Sequence, residues 1–381
     1  MPWESKTVEK LREEFVLASK NCHNFSSLCR EFGITRKTGY KWIERANQGT
    51  PLCDRSKRPQ NIRNKTSSEM EQIILTVRKE NPGWGASTIR KVLENEGYAN
   101  LPCARTVNNI LNRYGCIEKE ESAKRHKYIR FQKEHCNEMW QADFKGDFGL
   151  TNGDRCYPLD IIDDSTRYLI KIVPCSSTRN VVIAAFESAF YEYGLPDSVL
   201  TDNGAQFAGF KQGYTQFEKW LMCHDVLPVH CRIKHPQTQG KIERFHRTLN
   251  EELLKHRSFA NIEEADEIMQ EWRMKYNDIR PHEALGMLTP SDVYERSRRE
   301  YSENPEKYEY SGEYPIVKVN CKGYLSLDYQ RLYFSETMAG EYLEIRPNPL
   351  KDTFYVCFRN FRIAEFDSVS GTRINRFVQR L

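Results

Sequence analysis

Hydrophobic residues recur at helical spacing through the first third of this chain and at strand spacing from about residue 139 onward. Within residues 7–46, Leu28 and Phe32 stand four apart, Gly33 offers a turn and Ile34 a core plug. Thr35 is a suitable N-cap for a following helix, whose early turns carry Arg36, Lys37 and Lys41. Tyr40 and Ile43 are expected to face inward, and Gly39 costs that helix about 1 kcal/mol relative to Ala. A second helical unit is predicted over 67–115. There Met70, Ile73, Ile74 and Val77 keep the 3.6 period, Gly83-Trp84-Gly85 makes a turn, and Ile89 to Leu93 extend the core. Pro102 opens a further helix with Val107, Ile110 and Leu111 inside and Arg105, Asn108, Asn109 and Arg113 outside.

The strand region begins with segments 140–150 and 155–162, which flank Thr151-Asn152-Gly153-Asp154, a strong hairpin signal. Asp163-Asp164-Ser165 turns the chain into a third strand, 167–173. A helix over 177–193 follows, ending at Gly194, then a short apolar strand over 198–200 and a helix over 215–224. The order β-β-β-α-β-α-β-α is that of a ribonuclease H-like fold with a mixed sheet, in which the first and fourth strands are parallel neighbours. One or two helices around Trp272 and Tyr276 follow. Six short strands between 316 and 366 then predict a small β-barrel or sandwich. The expected organisation is a helix–turn–helix unit over 1–50, a basic linker over 51–66 and a second such unit over 67–117. A linker over 118–135, an α/β core over 136–300 and a C-terminal β-barrel over 310–381 complete it.

At 381 residues, two to four domains are expected, and 39% hydrophobic with 29% charged residues describes a globular protein. No apolar run approaches the ~20 residues of a membrane span, and the N-terminus lacks a signal-peptide core, so a cytoplasmic, nucleoid-associated protein is expected. The net charge of +4 is unevenly spread: residues 1–135 hold 26 Lys and Arg against 16 Asp and Glu, the remainder 31 against 37. A basic N-terminal third suits a polyanion, and tandem helix–turn–helix units offer polar helix ends to a DNA major groove. The twelve cysteines form no C-x₂-C pair, which argues for reduced thiols and against a zinc site.

Three acidic residues carry the candidate chemistry. Asp143 stands mid-strand in Trp140-Gln141-Ala142-Asp143-Phe144, Asp202 at a strand end in Leu200-Thr201-Asp202-Asn203-Gly204, and Glu243 in the first turns of a helix with an apolar stripe of Ile242, Phe245, Leu249 and Leu253. Carboxylates converging from three elements suit hard divalent cations, Mg²⁺ or Mn²⁺. Two such ions about 4 Å apart can serve phosphoryl transfer. Asp163 and Asp164 read most simply as turn formers. Asp147 shares a strand face with Asp143, and Asp160 lies near the hairpin end. His235 and His246 are hydrogen-bonding or DNA-contact candidates.

At these residues the chain resembles the integrase-core transposases of bacterial insertion sequences, the DDE enzymes, and within them a subgroup with two N-terminal helix–turn–helix units, the IS-four-eighty-one type. The strings WQADFKG, RCYPLDIIDDSTRYLI, YGLPDSVLTDNGAQF, HPQTQGKIERFHRTL and YNDIRPHEALGMLTPSDVY carry the resemblance over residues 8–300. It implies that Asp143, Asp202 and Glu243 are the catalytic, metal-binding triad for two ions, and that Asn203 supports Asp202. It also implies that Gln239 and Arg247 contact DNA ends, with Lys241 and Arg244 as neighbouring candidates beside Arg36, Lys37, Lys41 and Arg105. The implied activity is 3′-end cleavage at terminal inverted repeats and strand transfer into target DNA by a homo-oligomer. The alternative is a domesticated, catalytically idle DNA-binding regulator. Between Asp202 and Glu243 lie 40 residues, longer than the family's usual spacing; the surplus is expected in the loop over 208–214.

Overall fold

A computed structural model describes residues 7–54, 66–117, 132–178, 180–209, 213–231, 240–327 and 330–381. The chain divides into two compact units, Met1–Lys65 and Thr66–Leu381.

The first unit packs helices α1 (Val8–Ser19), α2 (Phe25–Glu31) and α3 (Arg36–Asn47) around Phe15, Leu28, Cys29 and Trp42. Each helix is capped by its preceding residue: the side chains of Thr7, Asn24 and Thr35 accept hydrogen bonds from the backbone of Lys10, Ser27 and Thr38. On α3 the inward stripe is Gly39 and Trp42, whereas Tyr40 is 54% exposed and lies against Phe25. The expectation for Tyr40 is therefore corrected, and the reason is Gly39. A Cβ there would stand 2.8 Å from the Phe15 ring, so the glycine lets α1 and α3 approach.

In the second unit, α4 (Ser68–Glu80), α5 (Ala86–Asn95) and α6 (Ala104–Arg113) enclose Ile74, Trp84, Ile89, Val92, Leu93, Val107, Ile110 and Leu111. The inward positions on α6 are those the periodicity predicts. This trio is docked onto the α/β region: the Trp84 indole donates to Glu252, and Lys275 lies over the same ring.

The α/β region carries a five-stranded sheet in the order β5-β4-β1-β6-β7, with β1 at Trp140–Phe144, β4 at Leu159–Asp163, β5 at Leu169–Val173, β6 at Ser198–Thr201 and β7 at Leu227–His230. β1 pairs antiparallel with β4 and parallel with β6, as expected for the first and fourth long strands. The hairpin is shorter than the alternation suggests. Only Phe148–Gly149 (β2) and Arg155–Cys156 (β3) pair beyond the sheet, because Gly146 takes a φ of +93° and breaks β1. Alternation along β1 and β4 sends Trp140, Ala142, Leu159 and Ile161 to one face, against α7 (Val182–Tyr193) and α8 (Gln216–Cys223). Ile162, Leu169 and Ile172 face α9 (Gly240–Glu252) and α10 (Ile262–Met274). α7 starts later than predicted because Asn180 adopts a left-handed φ of +59°.

After the short α11 (Pro290–Val293), the described residues of the C-terminal region form seven strands rather than six: β8 (Ile316–Lys318), β9 (Tyr324–Leu327), β10 (Gln330–Tyr333), β11 (Tyr342–Pro347), β12 (Thr353–Phe358), β13 (Phe361–Asp367) and β14 (Arg373–Arg380). They form a β14-β13-β12-β11-β8 antiparallel sheet and a separate β9-β10 hairpin. The described ladders do not close, so the expected barrel is replaced by a sheet and a hairpin sharing one core around Phe334, Leu343, Val356, Phe358 and Phe361. That core also takes in Tyr214 and Met222 of the α/β region. Arg359 donates to the Cys223 carbonyl and Arg380 pairs with Asp225, fixing the two regions together. Among the described residues no helix is long and apolar enough to cross a membrane.

Candidate active site

The parallel pairing of β1 and β6 places Gln141 beside Leu200. Asp143 and Asp202 each lie two residues further on, so their carboxylates emerge at the same end of neighbouring strands. The aspartates feel one another. Burial is the main cause that pushes the Asp143 carboxyl up to about 6; the negative charges of Asp202 and Asp160 add to it, and the nearby His246 opposes it. Asp202 is fixed locally, its Oδ1 accepting from the Gly204 amide at 2.9 Å. Asn203 Nδ2 donates to the Cys231 carbonyl at 2.8 Å and ties the end of β6 to the end of β7. One residue earlier, Thr201 hydrogen-bonds to His230, which in turn meets the buried Glu218 at 2.8 Å; Arg376 of β14 pairs with the same carboxylate.

Glu243 lies in the first turn of α9 and is exposed, while Ile242, Phe245 and Leu249 bury the other side of the helix. Among the described residues no group of three or more His, Cys, Asp or Glu is close enough to hold a metal ion. The structure thus brings Asp143 and Asp202 together, with Glu243 exposed on the first turn of α9. Two oxygen-only ligands whose charges oppose one another suit a hard divalent cation, which would relieve both the repulsion and the burial.

The DNA-contact candidates divide. Arg36, Lys37 and Lys41 are exposed on α3, Arg105 on α6, and Arg244 and Arg247 on α9. Lys241 departs from its expectation: its ammonium is paired with the fully buried Asp164, whose other oxygen accepts from Gln141 at 2.6 Å. An ammonium committed to a buried carboxylate is withdrawn from phosphate binding. Gln239 and His235 lie outside the described residues. Asp147 pairs with Arg155 on the exposed hairpin, away from any role beside Asp143. Asp163 bonds the turn at Ser165 and Thr166, as its sequence neighbours suggest, and also receives the Asn137 amide.

One pair has no local sequence signal. Asp160 is opposite Asp143 in the β1–β4 register and wholly buried, and His246 Nε2 stands 3.0 Å from its Oδ2. Only its place two residues before Ile162, which packs against α9, hints that Asp160 faces that helix.

Residues 133–236 and 224–290 match the family described as integrase core domain, and residues 38–111 match a homeodomain-like domain. Residues 133–290 are thus similar to an integrase core. A protein of insertion element IS407 from Burkholderia multivorans is 30% identical over 163 residues, which cover 42% of this chain and 57% of that protein. A transposase for an IS21-like insertion sequence element from Bacteroides fragilis is 24% identical over 301 residues, covering 75% of this chain and 56% of the relative. The chain thus spans somewhat over half the length of these curated relatives. The HTLV-2 integrase catalytic core domain in complex with magnesium is a structural neighbour at 16% identity and a TM-score of 0.32, covering 42% of this chain and 97% of that one.

Proposed function

We propose that this chain is a transposase that binds the terminal inverted repeats of its element, cleaves the 3′ ends and transfers them into target DNA. The observation that carries the reading is the juxtaposition of Asp143 and Asp202 at one end of parallel strands within an integrase core. In this reading the two aspartates, with Glu243 as the third ligand, hold Mg²⁺ or Mn²⁺, which when bound activates the attacking oxygen and stabilises the leaving one. Asn203 and the Gly204 amide keep Asp202 aimed out of the β6 end. Arg244 and Arg247, exposed on α9, would meet phosphates, and α3 and α6 would read the element end.

Water attacks the phosphodiester at the element end and leaves a 3′-hydroxyl. That hydroxyl then attacks a target phosphodiester; one P–O bond forms as another breaks, and the target's 3′-oxygen leaves. No external energy source is needed. Two ends must be joined together, so a homo-oligomer is part of the proposal. The second reading is a domesticated, catalytically idle DNA-binding regulator. Labelled oligonucleotides bearing the repeats that flank its own gene decide between them. Joined products formed by the full chain in Mg²⁺ and absent with chelator support the transposase; end binding without products in Mg²⁺ or Mn²⁺ supports the regulator.

A further inference from the structure

Helix α9 is held in two ways. Its apolar stripe of Ile242, Phe245 and Leu249 sets its depth against the sheet. Apolar contacts are non-directional, and do little to fix a helix's rotation or its slide along its axis. Two polar ties do that. Lys241, two residues before Glu243, is paired with Asp164 just past the end of β4, and His246, three residues after it, meets Asp160 near the start of the same strand. Asp160 has 0% side-chain exposure, and no hydrogen bond from another described group reaches either of its oxygens. A carboxylate so placed is costly to bury unless it is paired. It also lies beside Asp143 in the sheet register.

We infer that the Asp160–His246 pair is a positioning device for the catalytic centre, setting the register of α9 so that Glu243 is presented to the site of Asp143 and Asp202. Residues three apart on a helix share a face, so His246 and Glu243 look toward the same side of the sheet. His246 acts through the helix and Asp160 through His246; neither takes part in bond making. The inference rests on the proposed transposase reading.

The test uses the full chain and two readouts: Mn²⁺ binding, followed by the electron paramagnetic resonance of free Mn²⁺, and strand transfer of labelled ends at saturating Mn²⁺. His246→Ala is expected to weaken Mn²⁺ binding about tenfold and slow strand transfer by about 10- to 100-fold, the range for residues that orient metal ligands. End binding should not change. His246→Gln, whose amide can reach the place of Nε2, should recover most of both losses. Asp160→Asn combined with His246→Ala should be no worse than His246→Ala alone, because the two act as one unit. Should His246→Ala fail to fold by circular dichroism, the near-isosteric Asp160→Asn takes its place, with a smaller loss in the same two readouts expected. Folded variants with wild-type Mn²⁺ affinity and rate, or single losses that add fully in the double variant, would overturn the pairing. A wild-type chain that neither binds Mn²⁺ nor joins ends would instead overturn the transposase reading, and this inference with it.

Discussion

The two sides of the candidate active site are built differently. The sheet side presents Asp143 and Asp202 from adjacent parallel strands, one partly buried and the other pinned by its own turn. The helix side presents Glu243 from an exposed face of α9, held in place by contacts made elsewhere on that helix. A strand position is fixed by hydrogen bonds on both sides, so a carboxylate there is positioned by the backbone itself. A helix position is only as well defined as the helix's packing. The difference teaches where the site is preformed and where it depends on distant side chains.

The largest expected effect breaks the sheet side. Asp202→Asn keeps volume and the Gly204 contact but removes a charge from the centre. Strand transfer should fall by at least about 10³-fold, with circular dichroism and end binding unchanged. A rate near wild type would remove Asp202 from the site.

The helix side should be sensitive at its far end. Glu252, in the last turn of α9, is 2.7 Å from Arg280 Nε and accepts from the Trp84 indole. Glu252→Ala leaves a largely buried guanidinium unpaired and should lower stability by about 3 kcal/mol, read as a shifted urea midpoint. A loss below about 1 kcal/mol would mean that the tie from the helical trio through Glu252 does not hold α9.

The comparison sharpens in the metal-free chain. The Asp143 carboxyl is pushed from an ordinary 3.8 to about 6, first by burial and then by Asp202. Between those values the folded chain binds more protons than the unfolded one. Stability should therefore fall as pH rises from about 4 to about 6, and stay lower above it. Asp143→Asn removes that penalty and should stabilise the metal-free protein at pH 7.5 by roughly 1–2 kcal/mol. Glu243→Gln, at an exposed position, should change stability by less than about 0.5 kcal/mol. Equal thermal shifts for the two variants would erase the distinction between buried and exposed carboxylates.

The smallest effect concerns neither side. Arg36→Ala and Lys37→Ala, both exposed on α3, should weaken end binding with no change in folding, each lost phosphate contact flattening the salt slope by about 0.9. Unchanged slopes in gel-shift titrations would take α3 away from the DNA.

Much of this arrangement was legible in the chain itself. Period-two alternation and the strand order bring Asp143 and Asp202 together, because parallel neighbours share an end. The inward stripe of α6 follows from its 3.6 period. What stayed hidden depends on contacts between distant residues. Asp160 and His246 are 86 positions apart, and Asp164 and Lys241 are 77 apart; no local pattern joins either pair. Gly39 is a helix-weakening residue by propensity alone, and its use in α3 lies in the close approach of Phe15. Strand β14 carries no clean alternation, in keeping with its register shifts against β13.

The central claim is that one site unites the two sides, and Glu243→Gln tests it most directly. Circular dichroism, end binding and strand transfer would be measured on the same preparation beside the wild-type chain. The account predicts a folded variant that binds ends normally and joins them at least about 10³-fold more slowly. A folded variant that binds ends and joins them at the wild-type rate would contradict it.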